Sequence, residues 1–156
     1  MRILPPDPVQ GGGMRVQELL KGNVVTVRAD ASVQEVARKM AEEDIGFLPV
    51  VDASGKAIGT ITDRDIVVRL IAKAGDLKSA RVEQVMTKDV VSVRPDEDVQ
   101  KVAELMKERK ISRVLVCDQN AKPLGVISLG DLAEKHEEGE VGRTVKEVKE
   151  GASLTH

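Results

Sequence analysis

The chain has one phenylalanine and neither tryptophan nor tyrosine, so its core has to be built from Val, Ile, Leu, Met and Ala. The same lack removes the aromatic platforms on which single-stranded nucleic acids stack. Charge of one sign is missing as well. Lys and Arg number 24 against 26 Asp and Glu, and a net charge of −2 provides no field to hold nucleic acid by phosphate neutralisation. Cys117 stands alone, which excludes a disulfide framework and a cysteine metal site. No apolar run approaches the length of a membrane span and no signal-peptide core appears, so a cytoplasmic location without membrane contact is expected. Aliphatic residues are plentiful. With 41% hydrophobic and 32% charged residues among 156, the chain can fill one compact unit or two very small ones, and an aliphatic core suits a layered α/β packing.

The chain is written twice. Val16–Ile66 aligns with Val82–Leu132 at a constant offset of 66 without a gap, and 19 of the 51 positions are identical. Among them are Val24/Val90, Val33/Val99, Met40/Met106, Asp52/Asp118, Gly59/Gly125 and Asp65/Asp131. A repeat of this kind is one supersecondary unit used again.

Each copy predicts β-α-β-β-α. In the first, Val24–Val27 is a β-branched strand and Ser32-Val33-Gln34-Glu35 is a capping box, followed by Val33, Val36, Ala37 and Met40 at helical spacing. That helix ends near Asp44. Phe47–Val51 predicts a buried strand, Asp52–Lys56 a turn, and Ala57–Ile61 the returning strand of a hairpin. A second helix enters at Thr62, with Ile66, Val67, Leu70 and Ile71 as its buried stripe. The second copy repeats this with Val90–Val93, Val99–Arg109, Val114–Cys117, Pro123–Ile127 and Leu132–His136. Repeats of roughly 50–60 residues are marginal alone, so the two are expected to pack through their sheets about a pseudo-twofold axis. The expected divisions are a disordered tail at 1–13, repeat one at 14–74, a linker at 75–81, repeat two at 82–138 and a polar tail at 139–156. Met14 is a second candidate start, and Val141/Val145/Val148 fits either a short docked helix or an exposed tail.

Each copy closes on Gly-h-h-[Thr/Ser]-x-x-Asp: Gly59-Thr60-Ile61-Thr62-Asp63-Arg64-Asp65 and Gly125-Val126-Ile127-Ser128-Leu129-Gly130-Asp131. A strand running directly into a helix leaves backbone N–H groups that favour an anion. Thr62 or Ser128 adds a hydroxyl, and Asp65 or Asp131 can accept both hydrogen bonds of a vicinal diol. The bland reading of the same residues is an N-cap hydroxyl with a first-turn carboxylate. A single T-x-x-D favours the bland reading; two in register move the balance towards a ligand.

The duplicated unit and its motif resemble the CBS-domain pair, or Bateman module, over Met14 to about Glu138. Copy one also has that family's Leu48-Pro49-Val50-Val51 strand, whereas copy two has Val114-Leu115-Val116-Cys117, without the proline. The resemblance implies a regulatory sensor holding AMP, ADP or ATP in the cleft between repeats, with NAD and S-adenosylmethionine offering the same ribose diol. It implies no required cofactor. For a ligand on Ser128 and Asp131, it places Val24, Val25, Ile45 and Gly46 at the base, with Ser112 and Arg113 near the phosphates. For one on Thr62 and Asp65, it places Val90, Val91, Ile111 and Ser112 at the base, with Gly46 and Phe47 at the phosphate end. Arg113 aligns with Phe47, so the Asp131 site is expected to prefer phosphate; Arg64 either reaches a phosphate at the Asp65 site or pairs with Asp63. The resemblance also implies a homodimer of such pairs acting on an effector protein that the sequence does not name. The alternative is a ligand-free scaffold for dimerisation or docking. An enzyme is not expected, because no metal cluster, activated nucleophile or oriented base can be assembled. Asp63 and Asp65 do not aim at one point, and Cys117 reads as a buried, inert thiol.

Overall fold

The computed structural model describes residues 13–135. The expected N-terminal tail apart from Gly13, and the C-terminal tail with its Val141/Val145/Val148 spacing, lie outside the described residues. Copy one comprises β1 (Val27–Arg28), α1 (Val33–Glu43), β2 (Phe47–Val51), β3 (Ala57–Thr62) and α2 (Asp63–Ile66), which runs on as a π-helical turn, Val67–Ile71. A short α3 (Val82–Val85) leads into copy two: β4 (Ser92–Val93), α4 (Val99–Arg109), β5 (Arg113–Cys117), β6 (Pro123–Ser128) and α5 (Leu129–Lys135). The chain is thus an α/β protein with two three-stranded sheets, ordered β1-β2-β3 and β4-β5-β6. The bounds of α1, β2 and β3 fall 66 residues before those of α4, β5 and β6.

Local chemistry explains this correspondence. Ser32 Oγ accepts from the Glu35 N–H at 3.1 Å, and Asp98 Oδ1 accepts from the Gln100 N–H at 2.8 Å, so each long helix has a side-chain cap. Both helices end on a left-handed residue, Asp44 (φ 53) and Lys110 (φ 56). The next amides, Ile45 and Ile111, then reach back to the Met40 and Met106 carbonyls and close the helix end. In the hairpin turns, Asp52 Oδ1 takes the Ser54 and Lys56 N–H groups, and Asp118 Oδ1 takes those of Asn120 and Lys122.

Two expectations need correction. The first strands are shorter than Val24–Val27 and Val90–Val93. β1 pairs with β2 only through Val27↔Val50 and Arg28↔Val51. Pro49 has no N–H to donate, whereas the aligned Leu115 donates to the Val91 carbonyl at 3.1 Å, yet β1 and β4 are both two residues long. The second correction concerns the stripe on α2: Ile66 and Leu70 are buried, but Val67 and Ile71 are 53% and 59% exposed. Residues 66 and 70 stack on one helical face, and a four-residue stripe is wider than the face that meets the core.

The core is aliphatic, with Leu48, Val50, Ile61, Leu115, Met106, Ile127 and Leu132 at 0–1% exposure. Each such side chain contributes about 1.5–3 kcal/mol on burial. The described residues divide into two compact units, one of residues 13–21, 93–114 and 127–135, the other of 22–92 and 115–126. These units do not follow the repeats: residues 115–126 of copy two fall with copy one, and the lead-in segments are exchanged. The 3-10 turn Val16–Leu19 precedes copy one yet bonds to copy two, Val16 N–H to Glu97 O and Gln17 N–H to Pro95 O, both at 2.9 Å. Residues before copy two bond to copy one: Val33 N–H to Ala80 O and Val82 N–H to Ala31 O, also at 2.9 Å.

Candidate ligand-binding site

The motif ending each copy folds into a reciprocal cap. At the end of β3, Asp65 N–H donates to Thr62 Oγ1 at 3.0 Å, and Thr62 N–H donates back to Asp65 Oδ2 at 2.9 Å. At the end of β6, Asp131 N–H donates to Ser128 Oγ at 3.2 Å and Ser128 N–H to Asp131 Oδ2 at 2.8 Å. The bland reading of the motif is therefore part of the structure. It leaves the other carboxylate oxygen of each pair, Oδ1, with unused acceptor capacity.

Each Oδ1 faces a cation that the sequence reading did not single out. Arg69 Nε lies 3.8 Å from Asp65 Oδ1, and Arg69 Nη1 donates to the carbonyls of Val85 (3.2 Å) and Met86 (2.8 Å). That guanidinium is held from two sides. Lys21 Nζ lies 3.9 Å from Asp131 Oδ1 and 3.1 Å from Glu134 Oε2, with 63% of its side chain exposed. The hydrogen bond to Glu134 and the two carboxylates hold the Lys21 ammonium above its ordinary pKa. Arg69 was legible as an i,i+4 partner of Asp65. Lys21, at the other end of the chain, had no local signal.

The residue after each hydroxyl anchors the strand opposite. Asp63 N–H donates to Gly46 O at 3.0 Å, and Leu129 N–H donates to Ser112 O at 2.8 Å. Phe47 pairs with Thr62 in the β2–β3 ladder. Gly46, Phe47, Thr62 and Asp65 are thus gathered at one end of the first sheet, and Ser112, Ser128 and Asp131 form the corresponding group in copy two. Arg64 meets Asp63 through its backbone N–H, which donates to Asp63 Oδ1 at 2.8 Å. Arg64 and Arg113 are exposed, while Val24, Val25, Ile45, Gly46, Phe47, Thr62, Asp65, Val90, Val91, Ile111, Ser112, Ser128 and Asp131 are half-buried.

A cavity of about 390 Å³ lies elsewhere, between β1 and α1, and touches none of these residues. Arg28, Arg38, Lys39, Glu35 and Glu42 line it with mixed charge, the expected solvated face of an amphipathic helix. Among the described residues no cluster of His, Cys, Asp and Glu is arranged for a metal, and no helix is long and apolar enough to cross a membrane. Cys117 is buried, and burial pushes its thiol pKa up against a hydrogen bond with Ser92. A thiol so placed is a poor nucleophile.

The family model for the CBS domain matches the chain twice, over residues 16–72 and 82–138. The CBS domain-containing protein YhcV of Bacillus subtilis is 35% identical over 118 residues, 76% of this chain and 82% of that protein. Inosine-5'-monophosphate dehydrogenase of Methanocaldococcus jannaschii is 33% identical over 132 residues, and homoserine O-acetyltransferase of Methanohalobium evestigatum is 35% identical over 123. The chain spans only 25% and 24% of those two enzymes. Among solved structures, the CBS domain pair of protein MJ0100 in complex with 5'-methylthioadenosine and S-adenosyl-L-methionine is 31% identical, with a TM-score of 0.69 over 79% of this chain and 95% of that one. The CBS domain protein PAE2072 of Pyrobaculum aerophilum, complexed with AMP, is 25% identical, with a TM-score of 0.72 over 85% and 98%. The duplicated β-α-β-β-α unit, its closing motif and both family matches lead to one conclusion: the chain belongs to the CBS-domain family and carries two CBS domains in tandem.

Proposed function

We propose that the chain is a cytoplasmic, non-catalytic regulatory module that binds an adenosyl ligand, with AMP, ADP or ATP foremost, and passes its state to an effector protein. The observation that carries this reading is the repeated cap. In each copy one oxygen of a part-buried carboxylate is used by the backbone while the other lies within 4 Å of a cation. A ribose diol can bond to that second oxygen, and the exchange of one ion-pair contact for two hydrogen bonds leaves the cap intact. In this reading Thr62 and Asp65 hold one ribose, with Val90 and Val91 at the base and Gly46 and Phe47 at the end that meets the ligand's 5′ substituent. Ser128 and Asp131 hold a second, with Ser112 and Arg113 near its phosphates. The bound AMP of PAE2072 and the adenosyl ligands of MJ0100 support the ligand class.

Thermal unfolding with AMP, ATP, NAD and S-adenosylmethionine tests the reading. A ligand at a hundred times its Kd adds about 2.7 kcal/mol and raises the midpoint. Asp131→Ala is expected to lose about 1.5–3 kcal/mol of binding, the worth of hydrogen bonds to a charged group. Silence from every nucleotide favours the second reading, a ligand-free scaffold. That reading has its own observation: Val67, Val68 and Ile71 are 53%, 44% and 59% exposed on consecutive turns, a surface suited to a second copy of the chain.

A further inference from the structure

Asp63 is the feature that the adenosyl reading leaves unexplained. Its N–H is bound to Gly46 O at 3.0 Å, and its side chain folds back so that Oδ1 accepts the Arg64 N–H at 2.8 Å. The other oxygen, Oδ2, lies against Gly46 so closely that a Cβ at that position would sit 2.7 Å from it. A side chain at position 46 would therefore need the Asp63 carboxylate to turn aside. The Asp63 carboxylate is therefore aimed at the Gly46–Phe47 stretch, the end of the Asp65 half-site assigned above to the ligand's 5′ substituent.

Copy two keeps the backbone arrangement and drops the charge. Leu129 N–H binds Ser112 O at 2.8 Å in the same way, but the Leu129 side chain is 7% exposed and apolar. The cation nearest Asp65 does not offset Asp63, because Arg69 is committed to Asp65 and to the Val85 and Met86 carbonyls. At this position one copy thus carries a carboxylate and the other a buried leucine.

We infer that Asp63 sets the ligand charge at the Asp65 half-site, which takes adenosyl ligands with a neutral or cationic 5′ substituent, a thioether or a sulfonium, and rejects a 5′ phosphate. This rests on the adenosyl reading and sharpens it. A phosphate beside a carboxylate raises the energy of both, and the penalty shrinks with salt because Asp63 is exposed. A thioether meets no such penalty.

The test uses Asp131→Asn as parent, so that the Asp65 half-site is read by itself, and titrates adenosine, 5′-methylthioadenosine and AMP calorimetrically. The parent is expected to bind methylthioadenosine at least about tenfold more tightly than AMP, a gap of about 1.4 kcal/mol. Adding Asp63→Asn should tighten AMP about tenfold and leave the other two within about twofold; raised salt should narrow the gap in the parent. If the parent unfolds, Asp63→Asn is made in the wild type and the half-site is followed through the Gly46 and Thr62 amide resonances. AMP affinity that is unchanged or weaker in Asp63→Asn, with methylthioadenosine still bound, overturns the inference and spares the adenosyl reading. Failure of the wild type to bind any of the three overturns that reading, and this inference with it.

Discussion

Ala121 holds φ 63 where copy one has Gly55 at φ 88, so the second hairpin turn places a Cβ in a backbone region that suits glycine. The turn tolerates it because Asp118 Oδ1 binds two amides across it. Ala121→Gly is expected to stabilise the chain by about 1 kcal/mol, read as a higher urea midpoint with an unchanged slope, and Gly55→Ala to destabilise it by a similar amount. Residues with local jobs of this kind were legible in sequence: Ser32 as a cap, Asp44 as a helix end, Asp52 as a turn. Thr62 and Ser128 were legible as hydroxyls beside a carboxylate. What Asp65 and Asp131 face was only half so. Arg69 sits one helical turn from Asp65, whereas Lys21 reaches Asp131 through a fold that no local pattern encodes.

Among the elements, the long helices matched their expected bounds, because caps and αL ends are written in the residues themselves. The first strands did not: each is two residues long, because a strand extends only as far as it pairs with a neighbour. The lead-in segments depend on distant partners in the same way. Val16 and Val82 are both 0% exposed, and each segment bonds to the β-α turn of the other copy. Val16→Ala and Val82→Ala should each cost about 1.5–3 kcal/mol for lost methyl burial and the cavity left behind. Hydrogen exchange distinguishes the exchanged arrangement. Val16→Ala is expected to speed exchange at the Val99 amide, which donates to Met14 O, and Val82→Ala at the Val33 amide, which donates to Ala80 O. The reverse pattern would mean that each lead-in serves its own copy.

For the whole molecule, the exposed Val67, Val68 and Ile71 stand where copy two has Ala133 and Glu134 at the first two aligned positions, so among the described residues only copy one presents an apolar helix face there. If that face joins two copies of the chain, Ile71→Glu should convert a dimer to a monomer in sedimentation equilibrium without lowering the monomer's melting temperature, since the side chain is 59% exposed. A dimer that survives the substitution would place the interface elsewhere. The sequence by itself determined the repeat, the α/β class, the capped motif and the aliphatic core, because each follows from residue type and short-range spacing. The tertiary structure alone decided which copy each lead-in supports, which cation faces each carboxylate, and that the Asp63 carboxylate lies against Gly46. Those are contacts between segments far apart in the chain, and their geometry is set by packing.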